Sequence, residues 1–314
     1  MTKPHDHENR GISARFLDQP YLLLVLAPLF WGGNVVAAKM VAGEIDPFLL
    51  LASRCVGATL FILPFAWRHV RADWAIIRKH WLVVMAFGAI GYALFNVFLY
   101  MGVQYTSGVN SSIEQGSLPM LILGANFLVF RVRANALQIL GVIAAIFGVL
   151  LTATHGDPGR LLTLDVNIGD GFVIIACLIY TAYTLALRFR PEMHIMSFMA
   201  IAFSGAALTG LVMLALFGGG LGQFATLANA SPTVWGVIIY VAIFPSMFSQ
   251  VFYARGVELV GANRAAPAHN LIPLFGTLGS VIVLGEYLEP YHFIAAAIII
   301  SGIVLAEWAA RRNR

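Results

Sequence analysis

Charge is scarce in this chain: 11% of its 314 residues are Asp, Glu, Lys or Arg, and 60% are hydrophobic. Soluble globular domains run nearer a quarter charged and half apolar, so an ordinary soluble protein is excluded and most of the chain belongs in lipid. No stretch outside the apolar segments is long enough to bury a core of its own. That excludes a receptor with large soluble domains and disfavours a membrane-tethered enzyme. Cysteine is almost missing too, and Cys55 and Cys177 both fall in apolar segments, where a thiol acts as a small buried hydrophobe rather than half of a structural disulfide. There is no Gly-Lys-Ser/Thr phosphate loop, no His-Glu-x-x-His pair, no Gly-x-Ser-x-Gly elbow and no potassium-channel filter sequence. Gly218-Gly219-Gly220 lacks the lysine of a phosphate cradle. The net charge of +4 is dispersed in short clusters rather than a basic stripe, so no nucleic-acid partner is expected. The start, Met1 to Gln19, is polar and does not read as a signal peptide. Its His5 and His7 have no Cys or carboxylate pattern to complete a coordination shell, so neither a metal nor a cofactor is expected.

What the chain does have is long apolar runs. Bounded by charge or turn residues, they predict ten spans: Tyr21 to Met40, Pro47 to Trp67, Trp81 to Val103, Ser107 to Phe130, Ala134 to Thr154, Gly169 to Phe189, Ile195 to Phe217, Pro232 to Tyr253, Ala262 to Gly285 and Tyr291 to Trp308. Alternating the connections puts Lys3, Arg10 and Arg15 on one side together with Arg68, Arg71, Arg78, Lys79, Arg131, Arg133, Arg188, Arg190, Arg255, Arg264, Arg311, Arg312 and Arg314. The other side receives Lys39 and Arg160, with Glu44, Asp46, Asp157, Asp165, Asp170, Glu286 and Glu289. By the positive-inside rule the first side is cytoplasmic and holds both termini.

The chain also repeats. Phe98 to Val149 lies on Phe252 to Ile303 at a constant offset without a gap, matching Gly102 with Gly256, Val103 with Val257, Pro119 with Pro273 and Gly148 with Gly302. At the earlier spans a slightly different offset sets Phe30-Trp31-Gly32 against Ile179-Tyr180-Thr181 and Lys39 against Arg188. Each unit holds five spans, and an odd number inserts the second copy upside down, the inverted-repeat plan of secondary transporters. The expected organisation is a cytoplasmic tail (1–20), a first five-helix repeat (21–154), an extracytoplasmic connection (155–168), a second repeat (169–308) and a short cytoplasmic tail (309–314).

Phe30-Trp31-Gly32-Gly33-Asn34 with Lys39, then Arg54, then Leu118-Pro119, resembles one repeat of the drug/metabolite transporter superfamily, EamA type. Gly261-Ala262-Asn263, Ile272-Pro273 and Leu284-Gly285-Glu286 resemble the second. Arg131-Val132-Arg133 stands where the family usually closes its fourth span with Gly-Glu. Among members the chain is similar to bacterial exporters of aromatic and other neutral amino acids. The resemblance implies an all-α inner-membrane carrier of ten helices, its central cavity lined by spans one, three, four, six, eight and nine, moving small metabolites outward by alternating access.

Glu114 is the carboxylate placed well inside an apolar segment, and an ionisable group there is a functional candidate by default. It could receive a substrate ammonium or carry a proton; alternatively it is wetted by a cavity and held by Ser111 or Ser117. Pro119 and Pro273 each remove a helical hydrogen bond, to the carbonyls of Gln115 and His269. Irregular backbone is tolerated in lipid only against protein or a wet cavity, which favours Gln115, His269 and Asn270 as polar lining. A packing kink without ligand contact is the alternative. His269 could also couple transport to protons. Trp31, Tyr92, Tyr100, Tyr180, Tyr183 and Tyr253 suit a pocket for zwitterions with apolar side chains, and Tyr92 and Asn96 share a helix face. Trp67, Trp74, Trp81, Trp235 and Trp308 fit an interfacial belt instead. Lys39 can snorkel to the outer interface, while Arg54 needs a carbonyl or acid partner, structural locking being favoured over binding of a substrate carboxylate. Asn34, Ser246 and Gln250 complete the candidate lining. The expected partners are the bilayer and a small molecule, with a monomer as the working unit. Efflux of drugs, nucleosides or purines is the alternative within transport. An intramembrane enzyme would have to use Glu114 with His269.

Overall fold

The computed structural model describes residues 16–131, 135–157, 159–160 and 167–312. His5, His7, Lys3, Arg10, Arg15, Val132, Arg133, Asp165 and Arg314 lie outside them. Among the described residues the regular elements are helices and no strand occurs. In chain order they are α1 (Pro20–Met40), α2 (Pro47–Ala72), α3 (Trp74–Tyr105), α4 (Gly108–Phe130), α5 (Ala136–Ala153), α6 (Ile168–Phe189), α7 (Ile195–Phe217), α8 (Pro232–Val260), α9 (Pro267–Leu284) and α10 (Pro290–Arg312). The first nine are long and apolar enough to cross a bilayer, and α10 contributes a shorter apolar stretch, Pro290–Ala306.

Helix starts follow local chemistry. Asp46 accepts from the N–H groups of Phe48 and Leu49 (2.9 and 3.2 Å), with Pro47 at the first helical position. Ser107 caps α4, Ser231 caps α8 ahead of Pro232, and Asn135 with Gln138 forms a reciprocal capping box on α5. Two helices outrun the apolar runs that announce them. α3 begins at Trp74 rather than Trp81, because Arg78, Lys79 and His80 end the hydrophobic signal without interrupting backbone hydrogen bonding. α2 likewise continues through Arg68 and Arg71 to Ala72. Hydropathy marks the part of a helix in hydrocarbon, not where the helix stops.

Four spans are irregular at matched places. A π-helical segment, Ala89–Leu94, interrupts α3, and another, Phe244–Phe248, interrupts α8. α4 breaks at Gly116 and Ser117, immediately before Pro119. α9 opens as a 3-10 segment, Ala266–Asn270, immediately before the α-helix carrying Pro273. The packing repeats as well: α1 packs on α8 and α9 as α6 packs on α3 and α4, while α2 pairs with α7 and α5 with α10. Exchanging the two halves maps this pattern onto itself, as a pseudo-two-fold axis requires.

The outward faces are apolar. Leu60, Leu128, Leu216 and Ile282 are exposed, as are Trp67, Trp74, Trp81, Trp235 and Trp308, an aliphatic belt with aromatic residues that only lipid would cover. Cys55 and Cys177 are free and buried. The interior, by contrast, is polar at mid-depth.

Candidate functional site

Arg54, two turns into α2 and 6% exposed, is the centre of that polar interior. Its Nε donates to Ser246 Oγ (3.0 Å), and its Nη1 lies within hydrogen-bond distance of Asn34 Oδ1 (2.9 Å), Asn96 Oδ1 (2.5 Å) and Tyr100 Oη (2.6 Å). Asn34 also donates to Asn96 Oδ1 (3.1 Å), and the Tyr100 hydroxyl donates to Asn34 Oδ1 (3.0 Å). Four candidate lining residues, Asn34, Asn96, Tyr100 and Ser246, are thus gathered from α1, α3 and α8 around one guanidinium. The π segments deliver two of them. Ser246 sits within one and donates back to Val241 O (2.7 Å), and Asn96 follows the other and donates to Tyr92 O (2.8 Å). Such single-turn π segments are frequent at functional sites.

An aromatic enclosure adjoins this cluster. Trp31, one turn before Asn34, lies tilted at 5.2 Å from the His269 ring and 5.7 Å from that of Tyr253, and Tyr253 meets His269 edge-on at 4.4 Å. Trp31 Nε1 donates to the carbonyl of Pro245, the residue before Ser246 (3.1 Å). All three rings are half-buried. α1 can approach α9 this closely because Gly32 has no side chain: a Cβ there would lie 2.7 Å from the amide nitrogen of Gly276. A second aromatic group lies between α3, α6 and α7, where Tyr92 stacks on Phe203 (4.5 Å) and meets Tyr183 (hydroxyls 3.4 Å apart), with Tyr180 beside Tyr183 (5.7 Å).

The remaining candidates are placed differently. Glu114 is fully buried in α4 and its carboxylate makes no hydrogen bond among the described residues. Neither expected serine holds it: Ser117 donates to the backbone carbonyl of Glu114 and Ser111 to that of Ser107. Gln115 turns back to its own helix, donating to Ser111 O (3.0 Å). The His269 carbonyl accepts from the N–H of Leu271. Gln250 and Asn270 are half-buried.

Sequence reasoning missed a polar chain at the other end of α4. Asp170, counted from the sequence with the outer-side acids at the start of the sixth span, is fully buried in the first turn of α6. It accepts from Thr106 and lies 4.0 Å from His155 Nε2. Asn110 joins Thr106 (3.3 Å) to His292 Nε2 (2.7 Å). Asn110, His155 and His292 line a cavity of about 320 Å³ with Glu286 and Tyr291. Asn167 caps α6 by accepting from the N–H of Gly169 (2.7 Å), which fixes Asp170 in the first turn.

Two cross-links close this same end. Glu286, after α9, accepts from the N–H groups of Gly108 and Val109 at the start of α4 (both 2.8 Å). Lys39, at the end of α1, donates to the carbonyls of Val103 and Thr106 at the end of α3 (2.9 and 2.8 Å). Each charge suits the helix terminus it meets. At the repeat offset the position matching Glu286 is Val132, which carries no acid. The match of Lys39, Arg188, instead lies over the Phe130 ring at 3.8 Å.

Membrane-length helices with irregular segments beside buried polar groups are the architecture of a polytopic membrane transporter. The pattern of the EamA-like transporter family matches residues 19–154 and 167–308. The chain belongs to this family, within the drug/metabolite transporter superfamily. It is similar to "Uncharacterized transporter YyaM" of Bacillus subtilis (strain 168), 26% identical over 295 residues that cover 93% of this chain and 94% of that protein. It is also similar to "Uncharacterized inner membrane transporter YicL" of Salmonella typhimurium (strain LT2), 21% identical over 299 residues that cover 93% and 96% of the two chains. A solved crystal structure shares the fold with a TM-score of 0.61 at 18% identity, covering 94% of this chain and 98% of the other.

Proposed function

We propose that the protein is a secondary carrier that exports small metabolites, specifically neutral and aromatic amino acids, across the inner membrane of a bacterium by alternating access. The observation that carries this reading is the enclosure of Trp31, Tyr253 and His269 rings directly beside the polar cluster of Asn34, Asn96 and Tyr100. A zwitterion with an apolar side chain needs both surfaces within one molecule's length. The rings cover the side chain, and His269 and Asn270, at the α9 break, meet a polar end. The end closed by Glu286 and Lys39 faces outward, so the half-buried rings are reached from the cytoplasm. Chemistry is not part of the cycle; the substrate leaves unchanged.

Counterflow of labelled phenylalanine, leucine and adenosine in proteoliposomes tests this. The expected result is saturable uptake of phenylalanine, recovered intact, above adenosine. Uptake of adenosine alone would transfer the assignment to nucleoside efflux, and a chemically altered product would replace transport with catalysis. Trp31→Ala and Tyr253→Ala each remove one aromatic wall, worth about 1.5 kcal/mol or tenfold in apparent affinity. Equilibrium binding of phenylalanine should weaken by about that factor in each variant that still unfolds in a single cooperative thermal transition.

A further inference from the structure

Arg54 is a buried cation whose hydrogen-bond partners are all neutral: two amide oxygens and two hydroxyls. Among the described residues it enters no ion pair. The donors are also unevenly used. Nη1 has two hydrogens and three acceptors converging on it, whereas Nη2, with two hydrogens of its own, makes no hydrogen bond among the described residues. A guanidinium is a planar fork matched to carboxylate geometry, and taking it out of water without a counter-charge is costly. Here the fork is held rigid on its Nε and Nη1 sides, and the Nη2 side remains unclaimed. The repeat does not copy this cation: at the offset that aligns Lys39 with Arg188, Arg54 falls on Phe203, which packs against Tyr92 in the aromatic group. One repeat therefore supplies a cationic pole and the other an aromatic one. α3 runs between them, presenting Tyr92, Asn96 and Tyr100 at four-residue intervals along one face.

We propose that Arg54 is the substrate's carboxylate anchor, accepting the anionic end of an aromatic or apolar monocarboxylate through Nη2, and that Asn34, Asn96, Tyr100 and Ser246 are positioning residues that hold the guanidinium for it. This deepens the transport reading above by naming the charge the site selects. Trp31 lies one turn from Asn34, and Pro245, which binds its indole, precedes Ser246, so a carboxylate on Arg54 leaves the attached side chain beside the Trp31 enclosure.

The test pairs acids with their uncharged isosteres. Purified wild-type protein is titrated in a thermal-shift assay with phenylalanine, phenylalaninamide, 3-phenylpropionate and 3-phenylpropionamide. Each acid is expected to bind at least tenfold more tightly than its amide. Arg54→Gln should erase that ratio, and Arg54→Lys, which keeps the charge without the fork, should fall between. Tighter binding of 3-phenylpropionate than of its amide supports the anchor even if phenylalanine counterflow fails, so failure of the amino-acid assignment is distinguishable from failure of the anchor. Equal binding of acid and amide by the wild type, absence of binding by either acid, or an unchanged ratio in a folded Arg54→Gln or Arg54→Lys variant overturns it.

Discussion

A Glu286→Gln variant is expected to open the end of the bundle that Glu286 closes. Its two oxygens accept from successive N–H groups at the first turn of α4 (both 2.8 Å), where a carboxylate also meets the positive end of the helix dipole. Glutamine keeps one acceptor, turns the other into a donor facing a donor, and removes the charge. Losing one charge-assisted bond costs about 2 kcal/mol, equivalent to roughly thirtyfold in the open population. The Lys39 cross-link remains, so the end loosens without coming apart. The reporter is Ser111→Cys, a small change at a fully buried site one turn behind the latch, in a Cys55→Ala, Cys177→Ala background. A membrane-impermeant maleimide should label it about thirty times faster when Glu286→Gln is added. Equal labelling rates would mean that Glu286 does not govern access. Because the matching position is Val132, the repeat does not copy this acid, and the resting protein should keep the Glu286 end shut.

The second large effect concerns the outermost pair, α5 and α10. Gly141 and Gly302 face one another so closely that a Cβ on Gly302 would lie 2.7 Å from the carbonyl oxygen of Gly141, and both contacts are backbone, unable to swing aside. Without a hydrophobic drive between helices in lipid, such close approach of small residues is what holds a pair together. Gly302→Leu should therefore force the helices apart at a cost of about 3 kcal/mol. In detergent this should lower the apparent melting temperature by about 5 °C or more, while Gly222→Leu, at an open position, should leave it unchanged. An unaltered melting temperature for Gly302→Leu would remove close packing as the reason for glycine there.

The architecture was legible in the sequence because membrane folding leaves strong marks: apolar runs of fixed length and paired prolines at 119 and 273. The irregular segments were only partly visible. Proline announced the breaks in α4 and α9, but the π segment at Ala89–Leu94 contains no proline, and its neighbours in α6 and α7 are distant in sequence. For the site, residue type was informative and partner was not. Asn34, Asn96, Tyr100 and Ser246 stood out as polar groups in apolar helices, yet that they converge on Arg54 is a property of four helices meeting, with separations of up to 192 residues. Charge misled at Asp170, which counts with the outer-side acids by sequence but is fully buried in the first turn of α6. Gln115 shows the converse, a polar side chain in the right span that satisfies itself on its own backbone.

The central claim is that two oppositely inserted halves rock about the Arg54 and Trp31 region, so that one end closes as the other opens. Spin labels read this directly in reconstituted protein, with one pair on Tyr105 and Tyr287 at the latched end and a second on Phe189 and Leu259 at the other, all four positions exposed. On introducing Glu286→Gln, the first distance should lengthen and the second shorten in the same population. If both distances change in the same direction, or neither changes while the latch is demonstrably broken, the halves do not move as opposed units and alternating access about this site is wrong.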